Sequence, residues 1–237
     1  MDNLTREAQF HDERANVESE GDQRLGYVYS SMQDVMQIPV TRCESDARSV
    51  LEVGCYLGNN SRQFSNKQYL GVDISPAAIE IASNKNTNQR HQFLVHDANH
   101  LEQLDGEFDY VFGNGVIHHL NLDAFSNGLS TILSDTGKAV FFEPMKGPFY
   151  LRLFRWLTPK LRTEDEHPLT PADLRKFEKT FDVEIDYYGF ARPILPMLTG
   201  NLNFFIKISA IIDRILLKSF LKSQAWIVII TFTRRRL

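Results

Sequence analysis

Apolar residues along the chain fall into short runs separated by polar, helix-compatible stretches, and the alternation begins at Ser49. "SVLEVG" reads as a buried strand, followed by a short helix expected around Asn60 to Asn66. "YLGVD" is a second strand, "HQFLVHD" a third, "FDYVFGNG" a fourth and "GKAVFFEP" a fifth. Helices are expected between them. "SPAAIEIASNK" has Ser75 as N-cap and Pro76 at the first helical position, and "NLDAFSNGLSTILS" follows the fourth strand. Strands alternating with helices imply an α/β fold, a parallel sheet with right-handed crossovers.

The last third is patterned differently. "PADLRKFEKT" is a helix opened by Thr170 and Pro171, "FDVEIDYYGF" is a strand, and "AWIVIITFTR" is the final strand. Between these two strands Leu202, Phe205, Ile206, Ile208, Ile212, Ile215 and Leu216 recur at helical spacing, with Lys207, Arg214 and Lys218 expected on the opposite face. Lys207, Asp213, Arg214 and Lys218 break the stretch well short of the ~18 apolar residues of a membrane span. The helix is expected to pack on its own domain. A dimer contact, an apolar acceptor site or a peripheral membrane contact through 201–221 are the alternatives.

A length of 237 residues suits one large domain, and 43% hydrophobic with 24% charged residues is ordinary for a globular chain. Lys and Arg number 26 against 30 Asp and Glu, a net charge of −4, which counts against a dedicated nucleic-acid binder with its basic face. Cys43 and Cys55 are too few and too close for a disulfide framework, so reduced thiols are expected. The charged N-terminus has no apolar core of a signal peptide, and a cytoplasmic location follows as the expectation.

Ligands of open parallel sheets bind beyond the carboxyl ends of the strands, which here carry Glu52 to Gly58, Asp73, Asp97 and Gly113 to His119. Asp73 stands about twenty residues beyond Gly54, where an acid can accept hydrogen bonds from both hydroxyls of a ribose. An adenosine ligand is indicated. A dinucleotide would need G-x-G-x-x-G, because a pyrophosphate must lie against bare backbone. Glu52, Gly54, Tyr56 and Gly58 lack that third glycine, and a nicotinamide enzyme is disfavoured.

On these residues the chain resembles the class I S-adenosylmethionine (SAM) dependent methyltransferases, closely from Val50 to Pro144 and more loosely out to Thr233. Their E-x-G-x-G-x-G motif is matched at Glu52, Gly54 and Gly58, with Cys55 inside the turn, and departs at Tyr56. "GVDIS" looks like the ribose motif, carrying Asp73 with Ile74 against the adenine. "VHDANHL" is similar to the third motif, in which Asp97 would bond the adenine amino group and Ala98 supply a backbone donor. "FDYVFGNGVIHHL" looks like the fourth, placing Asn114, Gly115 and His119 near the methionine end and the reacting methyl. The resemblance implies a Rossmann-like seven-stranded sheet, mostly parallel with the last strand antiparallel beside the fifth, and helices on both faces. It implies SAM as cofactor and S-adenosylhomocysteine as product. A methyltransferase domain would occupy 49–237, with 1–48 as a helical lid and insertions at 144–170 and 191–223 covering the acceptor site.

Tyr56 is the departure that matters. A negative φ would let its ring turn from the ligand while the amide still faced the pocket, whereas a positive φ costs a tyrosine roughly 1 kcal/mol or more. A working site with a reshaped methionine pocket is the preferred reading. For the chemistry, a base helps when the acceptor is a hydroxyl or a protonated amine. His118 and His119 are candidates, as is His167 in the cluster "RTEDEHPLT", where Glu166 would hold a cationic acceptor. Packing beside the cofactor, or capping of the next helix, is the plainer role for each. Tyr27 and Phe149 are further acceptor-site candidates, and no ligand spacing supports a metal. The acceptor is expected to be a small, partly hydrophobic molecule, natural-product or lipid-like. The rivals are a SAM-binding enzyme that does not methylate, such as a cyclase, and an inactive SAM-binding partner protein.

Overall fold

The structure, a computed structural model, describes residues 5, 6, 8, 9, 12, 32–152, 168–192 and 203–235. Two short helices, α1 (Gln33–Met36) and α2 (Ile38–Thr41), precede β1 (Ser49–Val53). A 3-10 helix at Asn59–Phe64 leads to β2 (Gln68–Asp73), α3 (Pro76–Lys85) and β3 (His91–Val95). A second 3-10 helix, Ala98–Gln103, precedes β4 (Phe108–Asn114), a third at Ile117–His119, and then α4 (Leu122–Ile132) and β5 (Leu133–Pro144). The remaining elements are α5 (Pro171–Phe177), β6 (Phe181–Tyr188), α6 (Asn203–Leu216), a 3-10 helix at Phe220–Gln224 and β7 (Ile227–Arg234).

The seven strands form one sheet in the order β3-β2-β1-β4-β5-β7-β6. All neighbours are parallel except β7, which runs antiparallel to both β5 and β6. The Rossmann-like seven-stranded sheet that the resemblance implies, with its last strand antiparallel beside the fifth, is therefore the one observed.

The capping chemistry read from the sequence forms these helices. Ser75 Oγ accepts from the Ala78 amide with Pro76 at the first helical position. Thr170 and Asp173 make a reciprocal capping box ahead of Pro171. Strand β5 begins four residues earlier than its apolar run, because Leu133 already pairs with Phe108 across an irregular register.

Alternate residues of the central strands enter two different cores, the period-two signature of a sheet covered on both faces. Val50, Tyr110, Val140 and Ile229 pack with Met32, Val35 and Val40 of the α1–α2 segment. Leu51, Val111, Phe141 and Ile230 pack on the other face with Phe125 and Leu129 of α4 and Phe177 of α5. Burying these rows contributes about 25 cal/mol per Å² of apolar surface and makes the sheet a rigid base for the loops at its carboxyl edge.

Candidate active site

The turn after β1 is folded by three residues in the left-handed region: Gly54 at φ 72, Tyr56 at φ 47 and Gly58 at φ 67. The Gly54 and Cys55 amides both donate to the Val72 carbonyl, at 2.8 and 3.0 Å, which draws the turn across β2. Tyr56 therefore takes the costly positive φ. Its amide does not face open space. It donates to Asp73 Oδ2 at 2.8 Å, and its ring packs beside Leu57, Ala78 and Ile81 on α3.

The two flanking glycines serve different needs. A Cβ at Gly58 would stand 2.6 Å from the Phe93 ring, so this glycine is demanded by packing against β3. Cys55 is buried, with its sulfur against Gly71, and burial pushes its thiol well up from the usual range. Its side chain is structural.

Asp73, at the tip of β2, is 8% exposed and accepts from the Ser75 amide at 3.0 Å as well as from Tyr56. Each carboxylate oxygen keeps a second lone pair, so two further donors, such as ribose hydroxyls, fit. Ile74 beside it is half-buried. Ser75 also donates its hydroxyl to Asp12, whose Oδ1 accepts from the Ala77 amide at 3.2 Å. Asp12 thus sits at the N-terminus of α3, where a carboxylate is favoured by the helix dipole.

Glu52 lies beneath the turn, 3% exposed. Its Oε1 accepts from Asn60 Nδ2 at 2.7 Å and its Oε2 from the Tyr69 hydroxyl. Burial raises its carboxyl to about 7, against the counteracting hydrogen bonds from Tyr69 and Asn60. At the β3 tip, Asp97 Oδ1 accepts from the amide and the side chain of Asn99, at 2.9 and 2.8 Å, ahead of buried Ala98. Asn99 in turn accepts from the Asn121 amide, tying this tip to the start of α4.

The β4 tip carries the most organised constellation. Glu143, at the end of β5 and fully buried, accepts from the Val116 amide at 2.9 Å and the Ile117 amide at 2.8 Å. The His118 amide approaches its Oε2 at 3.4 Å, and His118 Nδ1 lies 2.8 Å from the same oxygen. With Nδ1 engaged by the carboxylate, any proton that His118 exchanges must pass through Nε2. The His119 ring lies against that of His118, centroids 4.0 Å apart and planes tilted by 42°, and is the more accessible of the two. Asn114 Oδ1 is buried with no hydrogen-bond partner among the described residues. Gly115 has φ 67, and a Cβ there would find only His118 Cε1, at 3.7 Å.

Glu143 and the Asn60–Tyr69 pair are the site residues that sequence reading missed. An acid inside the apolar run "AVFFEP" was the available signal for Glu143. Phe149 is exposed by 72% and stacks edge-on to Tyr150. Tyr27, Glu166 and His167 lie outside the described residues.

With this geometry in view, residues 50–137 match a family model described as a methyltransferase domain. That segment, β1 to the start of β5, is therefore similar to a methyltransferase domain. The match extends to the strand tips carrying Glu52, Asp73, Asp97 and Asn114. A probable chloroplastic tocopherol O-methyltransferase of Oryza sativa subsp. japonica is 32% identical over 84 residues, 32% of this chain and 23% of that protein. The chain thus spans about a quarter of the length of that relative. Solved structures share the whole fold at low identity. A magnesium protoporphyrin IX methyltransferase from Synechocystis PCC 6803 with bound S-adenosylhomocysteine has a TM-score of 0.64 at 16% identity, over 99% of this chain and 100% of that one. A geranyl diphosphate C-methyltransferase from Streptomyces coelicolor A3(2) has a TM-score of 0.60 at 13% identity, over 91% and 88%.

Proposed function

We propose that this protein binds S-adenosylmethionine across the carboxyl edge of its sheet and transfers the methyl group to a small, partly hydrophobic organic acceptor. The observation that carries the reading is the convergence of the Tyr56 turn on Asp73 with the Glu143-held loop 116–118 beyond β4. The residues suit the cofactor chemically. Asn114 Oδ1 is a buried acceptor in want of a donor such as the ammonium of the methionine end, and Asp73 has lone pairs left for a ribose.

The cofactor supplies an electrophilic methyl group on a sulfonium, so most of the acceleration comes from holding the acceptor in line with it. Asp73 and the β1 turn fix the nucleoside, and Gly115 leaves room for close approach beside His118. Where the acceptor is a hydroxyl or a protonated amine, its proton passes to the histidine pair. Glu143 holds Nδ1 of His118 and so fixes that ring within the pair. The contact of Asp12 with the start of α3 supports an N-terminal lid over the nucleoside end.

Binding is tested by calorimetry with SAM, and transfer by incubation with labelled SAM and a metabolite and lipid extract. The reading requires a labelled small molecule formed together with S-adenosylhomocysteine. Binding without any methylated product would instead favour a non-methylating SAM protein, and absence of binding would overturn both.

A further inference from the structure

Helix α6 turns to solvent a face that is apolar and cationic at once. Phe204, Ile211 and Ile215 are 66%, 61% and 66% exposed. Their spacing stacks them in one stripe along the helix. Lys207 and Arg214, with Lys218 in the turn after the helix, are exposed along one edge of that stripe, away from the half-buried Phe205, Ile208 and Ile212.

The helix cannot roll to hide the stripe, because its single acid is pinned inward. Asp213, 3% exposed, accepts from the amides of Gly189 at 2.9 Å, Phe190 at 3.1 Å and Ala191 at 2.5 Å. These amides belong to the loop after β6. Strands β5 and β6 run the same way, since both oppose β7, and Pro144 and Tyr188 both register with Ile227. The loop gripped by Asp213 therefore lies on the same sheet edge as the active-site loops.

We propose that this face of α6 docks the protein on an anionic lipid surface, the apolar stripe entering the headgroup boundary and the cations meeting lipid phosphates. Charge selects the occupant. The whole chain is at −4, yet this face presents three cations and turns its acid away, the pattern of an interfacial basic amphipathic helix. A second copy packed face to face by a two-fold axis would set like cations against each other. The inference stands on the fold and does not depend on methyl transfer. If the methyltransferase reading holds, docking at this edge makes the acceptor a molecule drawn from the bilayer.

The full-length protein is mixed with vesicles of phosphatidylcholine alone, or with one third phosphatidylglycerol, and separated by flotation at low and high salt. Binding is expected to the anionic vesicles only, and to weaken with salt. Lys207→Glu with Lys218→Glu should weaken it by about 25-fold or more, at roughly five-fold per cation. Ile211→Ser with Ile215→Ser should weaken it by about ten-fold or more. Melting curves confirm that both variants fold. As an independent readout, the tryptophan emission of a Phe204→Trp variant should shift to the blue when anionic vesicles are added. Three outcomes would overturn the proposal: no anionic binding by the parent protein, equal binding by the parent and both variants, or a dimer in sedimentation that Ile211→Ser with Ile215→Ser dissociates.

Discussion

Replacing Glu52 by Gln tests whether the buried acid under the β1 turn is a source of pH-dependent instability. Its carboxyl sits at about 7 in the folded chain against an ordinary 4.5, burial being the main cause. The folded state therefore holds a proton that the unfolded state has lost between those two values. The sign follows. Stability from this proton is full below pH 4.5, declines as the pH rises, and is gone above pH 7. The difference amounts to about 3 kcal/mol at 1.36 kcal/mol per pH unit. Glutamine has the same shape, still accepts from Asn60 Nδ2, and presents an amide that the Tyr69 oxygen can accept. The variant should match the parent near pH 4.5 to 5 and exceed it at pH 8 by about 2 to 3 kcal/mol. For a chain of this length that is a rise in melting temperature of roughly 5 to 10 °C. Thermal and urea melts at pH 5, 6.5 and 8 measure it. Parallel stability profiles for the two proteins, with no widening gap above pH 6, would refute the reasoning.

Other perturbations separate the roles assigned along the same edge. If a cationic ligand binds near Glu52, it should expel the proton, so calorimetry of SAM binding near pH 6.5 should show proton release that Glu52→Gln abolishes. Gly58→Ala should destabilise by about 3 kcal/mol, because the new methyl meets Phe93 at 2.6 Å in addition to the strain of φ 67. Gly115→Ala has the same φ with open space, so chemical denaturation should show only about 1 kcal/mol. Glu143→Ala strands buried amides of the 116–118 loop and should lower stability by about 3 kcal/mol or more, while Glu143→Gln, milder in melts, should still slow methyl transfer. Tyr56→Gly relieves about 1 kcal/mol of backbone strain but loses ring packing on α3, so melts should differ by less than about 2 kcal/mol, with SAM affinity in calorimetry undiminished.

What the sequence discloses is local, and what it conceals depends on partners far along the chain. Ser75 and Thr170 announce their helices because a cap bonds within three residues. The strands announce themselves because alternate residues enter different cores. The sign of φ at Tyr56 has no such signature. A tyrosine in place of the motif's glycine marks the position, but only the bond from its amide to Asp73 shows why the backbone takes the strained turn. Gly58 reads in the sequence as a ligand-contacting glycine, yet the Phe93 ring 35 residues away is what excludes a side chain there. The role of Glu143 is concealed for the same reason, since its hydrogen-bond partners lie 25 to 27 residues upstream. In α6 the apolar residues cover an arc wider than one face, so periodicity does not say which of them turn to the domain. The three amides held by Asp213 decide it.

Three carboxylates, Glu52, Asp73 and Glu143, stand at or beside the carboxyl ends of β1, β2 and β5, each less than a tenth exposed. None is there by default, because burying a carboxylate carries a desolvation penalty of several kcal/mol unless donors are supplied. Asp73 and Glu143 recover it from backbone amides, and in doing so they shape the two loops that border the crevice. Glu52 recovers it only partly from two side chains, which leaves its proton in play near neutral pH. The same arrangement biases the choice of ligand. A pyrophosphate would bring negative charge to an edge already acidic and meet no glycine-rich helix start. A nucleoside bearing a sulfonium and an ammonium brings positive charge to it instead. On the proposed reading, the acids that fold the loops would also discriminate between the two adenosine ligands an open parallel sheet most often receives, the same bonds holding the edge together and favouring a sulfonium nucleoside.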